Sequence, residues 1–256
     1  MRSVRRVGLA LGGGVVRGIA HIGVLEVLQA AKVPIDCLAG TSVGSLVGAL
    51  FCAGFDPLEI EHISAKMGWW DVSRPVLSPM GLLSFDKMET MLQKLLGDLD
   101  FEELEIPFAV VTTDMVTGRA VTLNRGKVIP AVRASCSVPG IVEPRRINGY
   151  LLADGGLVNN LPVSTVRELG ADYVIGIDIF EPFYARQWGP LGFGLTAIEM
   201  LISRAGGGEN EADCLIRPAL AGATFIRFSQ REKLIASGRV ATEQALSGLQ
   251  RVLSTF

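Results

Sequence analysis

Two short apolar runs open the chain, each closed by glycine and each followed by an apolar stretch of helical length. Val7 to Leu11 ends in Gly12-Gly13-Gly14 and reads as a buried strand. Behind it, Ile22, Leu25 and Leu28, with Val24 and Val27 beside them, make a wide apolar helical face, and Glu26 and Gln29 turn outward. Pro34 stops that helix, Asp36 to Ala39 reads as a second strand, and Gly40 to Gly44 as a turn. Ser45 to Ala53 is almost wholly apolar and ends at Gly54, the pattern of a buried helix. Strand, helix, strand, helix in that order calls for parallel strands with right-handed crossovers. The expected fold is therefore α/β: a three-layer α/β/α arrangement around a mostly parallel central sheet covered on both faces.

Later runs fit the same plan. Phe108 to Thr113 is β-branched, and Ala120 to Leu123 follows a short turn through Gly118 as its hairpin partner. Tyr150 to Ala153 and Tyr173 to Ile179 read as strands, with a helix over Val163 to Leu169 between them. From Asp56 to Glu105 the pattern is helical and looser. It holds Trp69-Trp70, then Pro75, Pro79 and Gly81, then an amphipathic stretch from Asp86 to Leu96, and it reads as a helical insertion capping the sheet. Leu246, Leu249 and Leu253 place a surface helix in a C-terminal helical region over about 190–256. Repeats and low-complexity linkers are absent, so residues 1–256 are expected to form a single domain.

Composition removes several function classes. With 24 basic and 26 acidic side chains the net charge is −2, which argues against nucleic acid as a partner. A mean hydropathy of +0.39 excludes a disordered chain. Cys37, Cys52, Cys136 and Cys214 form no C-x-x-C pair and are expected as buried free thiols in a reducing compartment. No apolar run reaches ~18 residues, so no membrane-spanning helix is expected. Arg2, Arg5 and Arg6 before Val7 to Leu11 imitate a signal peptide, but Gly12-Gly13-Gly14 breaks the pattern. The expected location is cytoplasmic, peripheral at most to the inner membrane face. Only two histidines, His21 and His62, leave few candidates for a His-based metal site, and no cofactor is expected.

The chemistry gathers at the glycine turns. Gly40-Thr41-Ser42-Val43-Gly44 fits G-x-S-x-G between a strand and a buried helix. In that context Ser42 sits on a sharp turn, its hydroxyl at a helix N-terminus that favours developing negative charge. The plainer reading is a glycine-rich turn with Ser42 capping the helix. Gly12-Gly13-Gly14 offers backbone amides for an anion. A dinucleotide site fits poorly, because Arg17 stands where G-x-G-x-x-G needs its last glycine and Gly18 comes one residue late. An oxyanion hole fits better if the first two strands are neighbours. Arg17 either orients that loop, holds an anionic head group, or lies on the surface as an ordinary arginine.

Ser42 needs a base. His21 reads as a packed core histidine, and no histidine follows position 62, whereas the histidine of a sheet hydrolase comes last. Asp154 is the best candidate, since it ends a strand and is followed by Gly155-Gly156. The alternative is an aspartate that starts an ordinary D-G turn. An aspartate of ordinary pKa is a weak base, so the role demands a dry pocket.

Four blocks in order carry a family resemblance: Gly12-Gly13-Gly14-Val15-Val16-Arg17-Gly18, Gly40-Thr41-Ser42-Val43-Gly44, Ala134-Ser135-Cys136-Ser137-Val138-Pro139 and Asp154-Gly155-Gly156. The chain resembles a bacterial patatin-like phospholipase over roughly Arg6 to Ile179. Asn159 to Val163 and Gly170 to Val174 follow the same pattern. The resemblance implies a Ser–Asp dyad, in which Ser42 attacks an acyl ester, Asp154 is the base, amides around Gly13 and Gly14 stabilise the oxyanion, and Arg17 supports the loop. It implies a lipid or related acyl-ester substrate and no metal. The apolar stretch Leu191 to Ile202 and the insertion are expected to be mainly core, with an acyl-chain pocket or a membrane-facing lid as the functional alternative. An acyltransferase or thioesterase using the same serine, and a non-catalytic regulator on the same fold, are the rival functions.

Overall fold

A computed structural model describes residues 6–181, 189–220 and 228–254. Arg2 and Arg5 of the signal-like N-terminus lie outside the described residues, as do the side chains of Pro190 and Leu191. The chain begins with β1 (Val7–Leu11), a 3-10 turn (Val15–Ile19), α1 (Ala20–Ala30), β2 (Cys37–Thr41) and α2 (Val43–Cys52). The second strand thus starts one residue after Asp36 and runs into the serine turn. The insertion follows as α3 (Pro57–Ala65), α4 (Trp69–Val72), β3 (Arg74–Ser78), β4 (Gly81–Ser84) and α5 (Asp86–Leu96). It is not purely helical: β3 and β4 form an antiparallel hairpin of their own. Pro75 is tolerated there because the outer side of an edge strand has no ladder hydrogen bond to lose.

The rest comprises β5 (Phe108–Asp114), β6 (Ala120–Leu123), α6 (Val128–Ser135), β7 (Arg145–Ile147), β8 (Tyr150–Asp154), α7 (Val163–Glu168), β9 (Tyr173–Ile177), α8 (Gly189–Ile202), α9 (Gly208–Glu211), β10 (Cys214–Ile216) and α10 (Arg231–Leu253). The main sheet is mixed, in the order β10-β9-β1-β2-β5-β8-β7, with β6 also on β5. Strands β10, β9, β1, β2 and β5 are parallel, while β6, β7 and β8 are antiparallel additions. Strand β10 shows that the C-terminal region is not wholly helical either.

The two faces of the sheet differ in side-chain size. Leu9, Leu11, Leu38, Phe108, Val110, Ile175 and Ile177 pack with Ile22 and Leu25 of α1, Leu50 of α2, Val132 of α6 and Ile235 of α10. Ala10, Cys37, Ala39 and Ala109 point to the other face, under Val163 and Val166 of α7. A six-residue helix can cover that face because the residues beneath it are small; a Cβ on Gly8 would lie 2.1 Å from Val166. Helix α10 is a surface helix, packed closely along one face. Gly23 of α1 and Gly238 of α10 each face a carbonyl of the other helix, 2.0 and 2.1 Å from where a Cβ would stand.

Strand β5 brings the functional turns together. Its lower half pairs with β2, ending at Thr41 opposite Val111. Its upper half pairs with β8, beginning with Asp154 opposite Thr112. Because β6 occupies the other edge across Val110 to Thr113, β2 and β8 share one edge and meet end to end. The residues that leave their C-termini are Ser42 and Gly155.

Candidate active site

Ser42 sits between β2 and α2 with φ 52 and ψ −127, in the left-handed region that a serine rarely occupies. Close packing holds it there. A Cβ on Gly44 would lie 2.2 Å from the Leu11 carbonyl oxygen, and one on Gly40 2.5 Å from that of Gly44. The Ser42 amide donates to Ser135 Oγ (2.8 Å), whose hydroxyl donates to the Val111 carbonyl (2.7 Å). The last turn of α6 therefore pins the elbow to β5.

Ser42 Oγ donates to Asp154 Oδ2 at 2.7 Å, and both residues are buried. Asp154 Oδ1 accepts the Gly156 amide (2.8 Å), its carbonyl accepts Thr113 Oγ1 (2.7 Å), and its amide donates to the Ser137 carbonyl (2.9 Å). Gly155 must be glycine, since a Cβ would stand 2.3 Å from the Val111 oxygen. Burial pushes the Asp154 carboxyl up to about 6, against the opposing pull of the Gly156 and Ser42 hydrogen bonds. A carboxylate so tuned accepts a proton far more readily than an exposed aspartate.

The Gly12–Gly14 loop lies beside Ser42, because β1 and β2 are paired neighbours. A Cβ on Gly13 would stand 3.2 Å from that of Ser42. The Gly12 and Gly13 amides donate to the Ile177 and Asn160 carbonyls. Gly14 caps the 3-10 turn and Val15 begins it with φ 53, positions whose N–H groups have no partner within a helix. Gly18 lets that turn close on Val43, where a Cβ would lie 2.2 Å away. Arg17 is buried rather than on the surface, and its guanidinium donates to the Glu181 carbonyl beyond β9. His21 is fully buried and its Nε2–H donates to the Gly12 carbonyl at 2.8 Å; burial lowers its pKa to about 4, so it is neutral, and it is the acid partner Asp154, not His21, that Ser42 Oγ meets. His62 lies in α3.

An apolar cavity of about 270 Å³ lies against Ser42. Its walls come from Leu46 and Leu50 of α2, Trp69 and Phe85 of the insertion, and Ile198 and Ile202 of α8. Cys136 and Val138 of the third sequence block line it as well. Among the described residues, no cluster of three or more His, Cys, Asp or Glu side chains is placed to hold a metal. Nor is any described helix long and apolar enough to cross a membrane. Sequence reasoning singled out the block containing Ser135 without giving that hydroxyl a task. It missed β7 altogether, although Asn148-Gly149, both at positive φ, is a readable hairpin signal.

The fold recurs in the crystal structure of VipD from Legionella pneumophila, with a TM-score of 0.59 over 96% of this chain and 67% of that one, at 14% identity. A serine elbow and an aspartate turn at the edge of such a sheet define a class of protein, and the family follows from the sequence match. The family model for patatin-like phospholipases matches residues 9–167, and the chain belongs to that family. An uncharacterized NTE family protein of Mycobacterium tuberculosis, Rv1063c, is 36% identical over 178 residues, 68% of this chain and 49% of that protein. The neuropathy target esterase sws of Drosophila melanogaster is 36% identical over 184 residues, 13% of its length. The lysophospholipase nte1 of Aspergillus fumigatus is 35% identical over 184 residues, 12% of its length. The chain thus spans about half the length of the mycobacterial relatives and a small part of the others.

Proposed function

We propose that the protein is a lipid acyl hydrolase that cleaves fatty-acyl esters of phospholipids or related lipids through a Ser42–Asp154 dyad. The observation that carries this reading is the 2.7 Å hydrogen bond from Ser42 Oγ to a buried carboxylate, set against an apolar cavity. Family membership and relatives named as an esterase and a lysophospholipase add support.

Ser42 Oγ attacks the acyl carbonyl carbon while its proton passes to Asp154 Oδ2. The oxyanion that forms is held by main-chain amides of the glycine loop. Because Gly12 and Gly13 donate to carbonyls, the donors assigned are the amides of Gly14 and Val15, with the N-terminal end of α2 adding its dipole. Arg17 acts on the loop by tying it to the chain beyond β9. Collapse of the intermediate expels the alcohol, which takes the proton back from Asp154. Water, deprotonated by Asp154, then attacks the acyl-enzyme carbonyl; as the second intermediate collapses the bond to Ser42 Oγ breaks, Oγ takes the proton back from Asp154, and the fatty acid leaves. The Gly156 amide keeps Asp154 turned towards Ser42 throughout.

Fluorophosphonate labelling and p-nitrophenyl ester hydrolysis test the reading. Wild type is expected to label and turn over, and Ser42→Ala and Asp154→Asn to do neither. Failure of wild type in both assays overturns the activity; undiminished turnover by Ser42→Ala overturns the site.

A further inference from the structure

We propose that the β3–β4 hairpin, with Trp70 beside it, is the surface through which this protein docks onto a phospholipid bilayer. The proposal rests on the lipid-hydrolase reading of the Ser42 site and identifies where that site meets its substrate.

Residues 75–85 contain no Asp, Glu, Lys or Arg, in a chain where 20% of residues are charged. Soluble proteins ordinarily blunt an outer strand with charge, lysine above all. Here Leu77 is wholly in solvent, Leu82 is 58% exposed and Trp70 71%, with Met80 nearly half exposed at the turn. This exposure does not come from a loosely held loop. The Leu82 and Leu83 amides donate to the Ile141 carbonyl (2.9 and 2.8 Å), and the Glu143 amide donates to the Leu83 carbonyl (3.0 Å). Strand β4 is thus fastened along Ile141 to Glu143, and among the described residues β3 pairs with β4 alone.

The same segments wall the cavity. Ile141, Val142 and Phe85 line it at the base of the hairpin, and Trp69 lines it next to exposed Trp70. Helix α8 repeats the arrangement, with Leu195, Ile198 and Ile202 on the cavity while Phe193, Met200 and Leu201 face solvent. Arg74 at the start of β3 pairs with Asp86 at the base of the hairpin, and the charge-free stretch lies beyond it. Large apolar side chains that protrude singly from such a stretch suit insertion among lipid chains, and tryptophan suits the headgroup boundary. A docked bilayer would place its acyl chains against the elements that line the cavity, so a chain could pass from one apolar phase to another.

Co-sedimentation of the full chain with phosphatidylcholine vesicles tests this. Wild type is expected to sediment with the vesicles. A Leu77→Glu, Met80→Glu, Leu82→Glu variant is expected to lose at least tenfold in vesicle partition and in hydrolysis of vesicle phospholipid. Its kcat/KM on soluble p-nitrophenyl butyrate should stay within twofold of wild type, which also reports that it folds. A separate Leu77→Trp variant should shift its emission to the blue when vesicles are added. Equal sedimentation of wild type and the triple variant overturns the proposal, as does an unshifted Leu77→Trp spectrum. So does a wild-type dimer, by light scattering, that the triple variant dissolves while neither protein binds vesicles; the patch would then be a self-association surface. Vesicle binding without cleavage of any ester leaves the docking surface standing and overturns the hydrolase. Ester cleavage without vesicle binding does the reverse.

Discussion

The raised pKa of Asp154 has two consequences that oppose each other. The proposed base must be ionised to receive the Ser42 proton, so kcat/KM for a soluble ester should fall about tenfold per pH unit below about 6 and level off above it. Stability runs the other way. The folded carboxyl binds its proton more tightly than the unfolded one, so the native state loses stability as pH rises from about 4 to about 6. Asp154→Asn removes that penalty. Melting curves should place the variant above wild type at pH 7.5, with the gap closing towards pH 4, while activity is lost at every pH. Ser135 offers a second test at this scale. Replacing it with alanine strips a buried amide of its acceptor and the Val111 carbonyl of its donor, about 1–3 kcal/mol for each group left unpaired. The expected result is a kcat lower by about 10–100-fold with KM within threefold, because the cavity is untouched and the elbow loses its fixed position. Steady-state kinetics beside the rate of fluorophosphonate labelling would check it.

At the scale of elements, close backbone approach recurs wherever two segments must meet. Helices α1 and α10 touch through Gly23 and Gly238, each against the other's main chain. Gly23→Ala puts a methyl 2.0 Å from the Ile235 carbonyl oxygen and is expected to cost about 1–3 kcal/mol, read as a lower urea midpoint. Arg133, buried in α6, shows how the insertion is fastened. Its guanidinium meets Asp86 and Glu89 of α5, and Glu143, at 3.3 to 3.4 Å. The link runs into the helix whose last residue, Ser135, holds the Ser42 amide. Much of this level was legible in the sequence. The amphipathic stretch Asp86–Leu96 is α5 to the residue, because its apolar positions follow one face. The β3–β4 hairpin was not legible, because Pro75 and Pro79 argue against a strand and the pairing depends on the backbone at Ile141.

For the molecule as a whole, the cavity is assembled from the first α/β unit, the insertion and α8, segments far apart in the chain. Its apolar walls lead to an expectation for substrate length. Across p-nitrophenyl esters of increasing chain length, kcat/KM should rise up to about fourfold per added methylene, following about 0.8 kcal/mol for each one buried. The rise should stop where the chain fills the cavity, and a series from butyrate to palmitate would locate that point. A flat series would remove the cavity from substrate binding.

The sequence by itself determined the α/β class, the serine turn, the glycine loop and the aspartate turn. Each is a local feature, written in a few adjacent residues whose backbone demands only glycine or a short strand can meet. The scarcity of histidine likewise points to a carboxylate base. Only the tertiary structure decided that Ser42 and Asp154 meet. They lie 112 positions apart, and contact requires β2 and β8 to end on the same edge of β5, with Thr41 opposite Val111 and Asp154 opposite Thr112. Strand register of that kind is a property of pairing, set by the packing of both faces of the sheet, and no single stretch of chain encodes it. Nor could the chain reveal the carboxyl's raised pKa, because burial exists only after the core has closed around it.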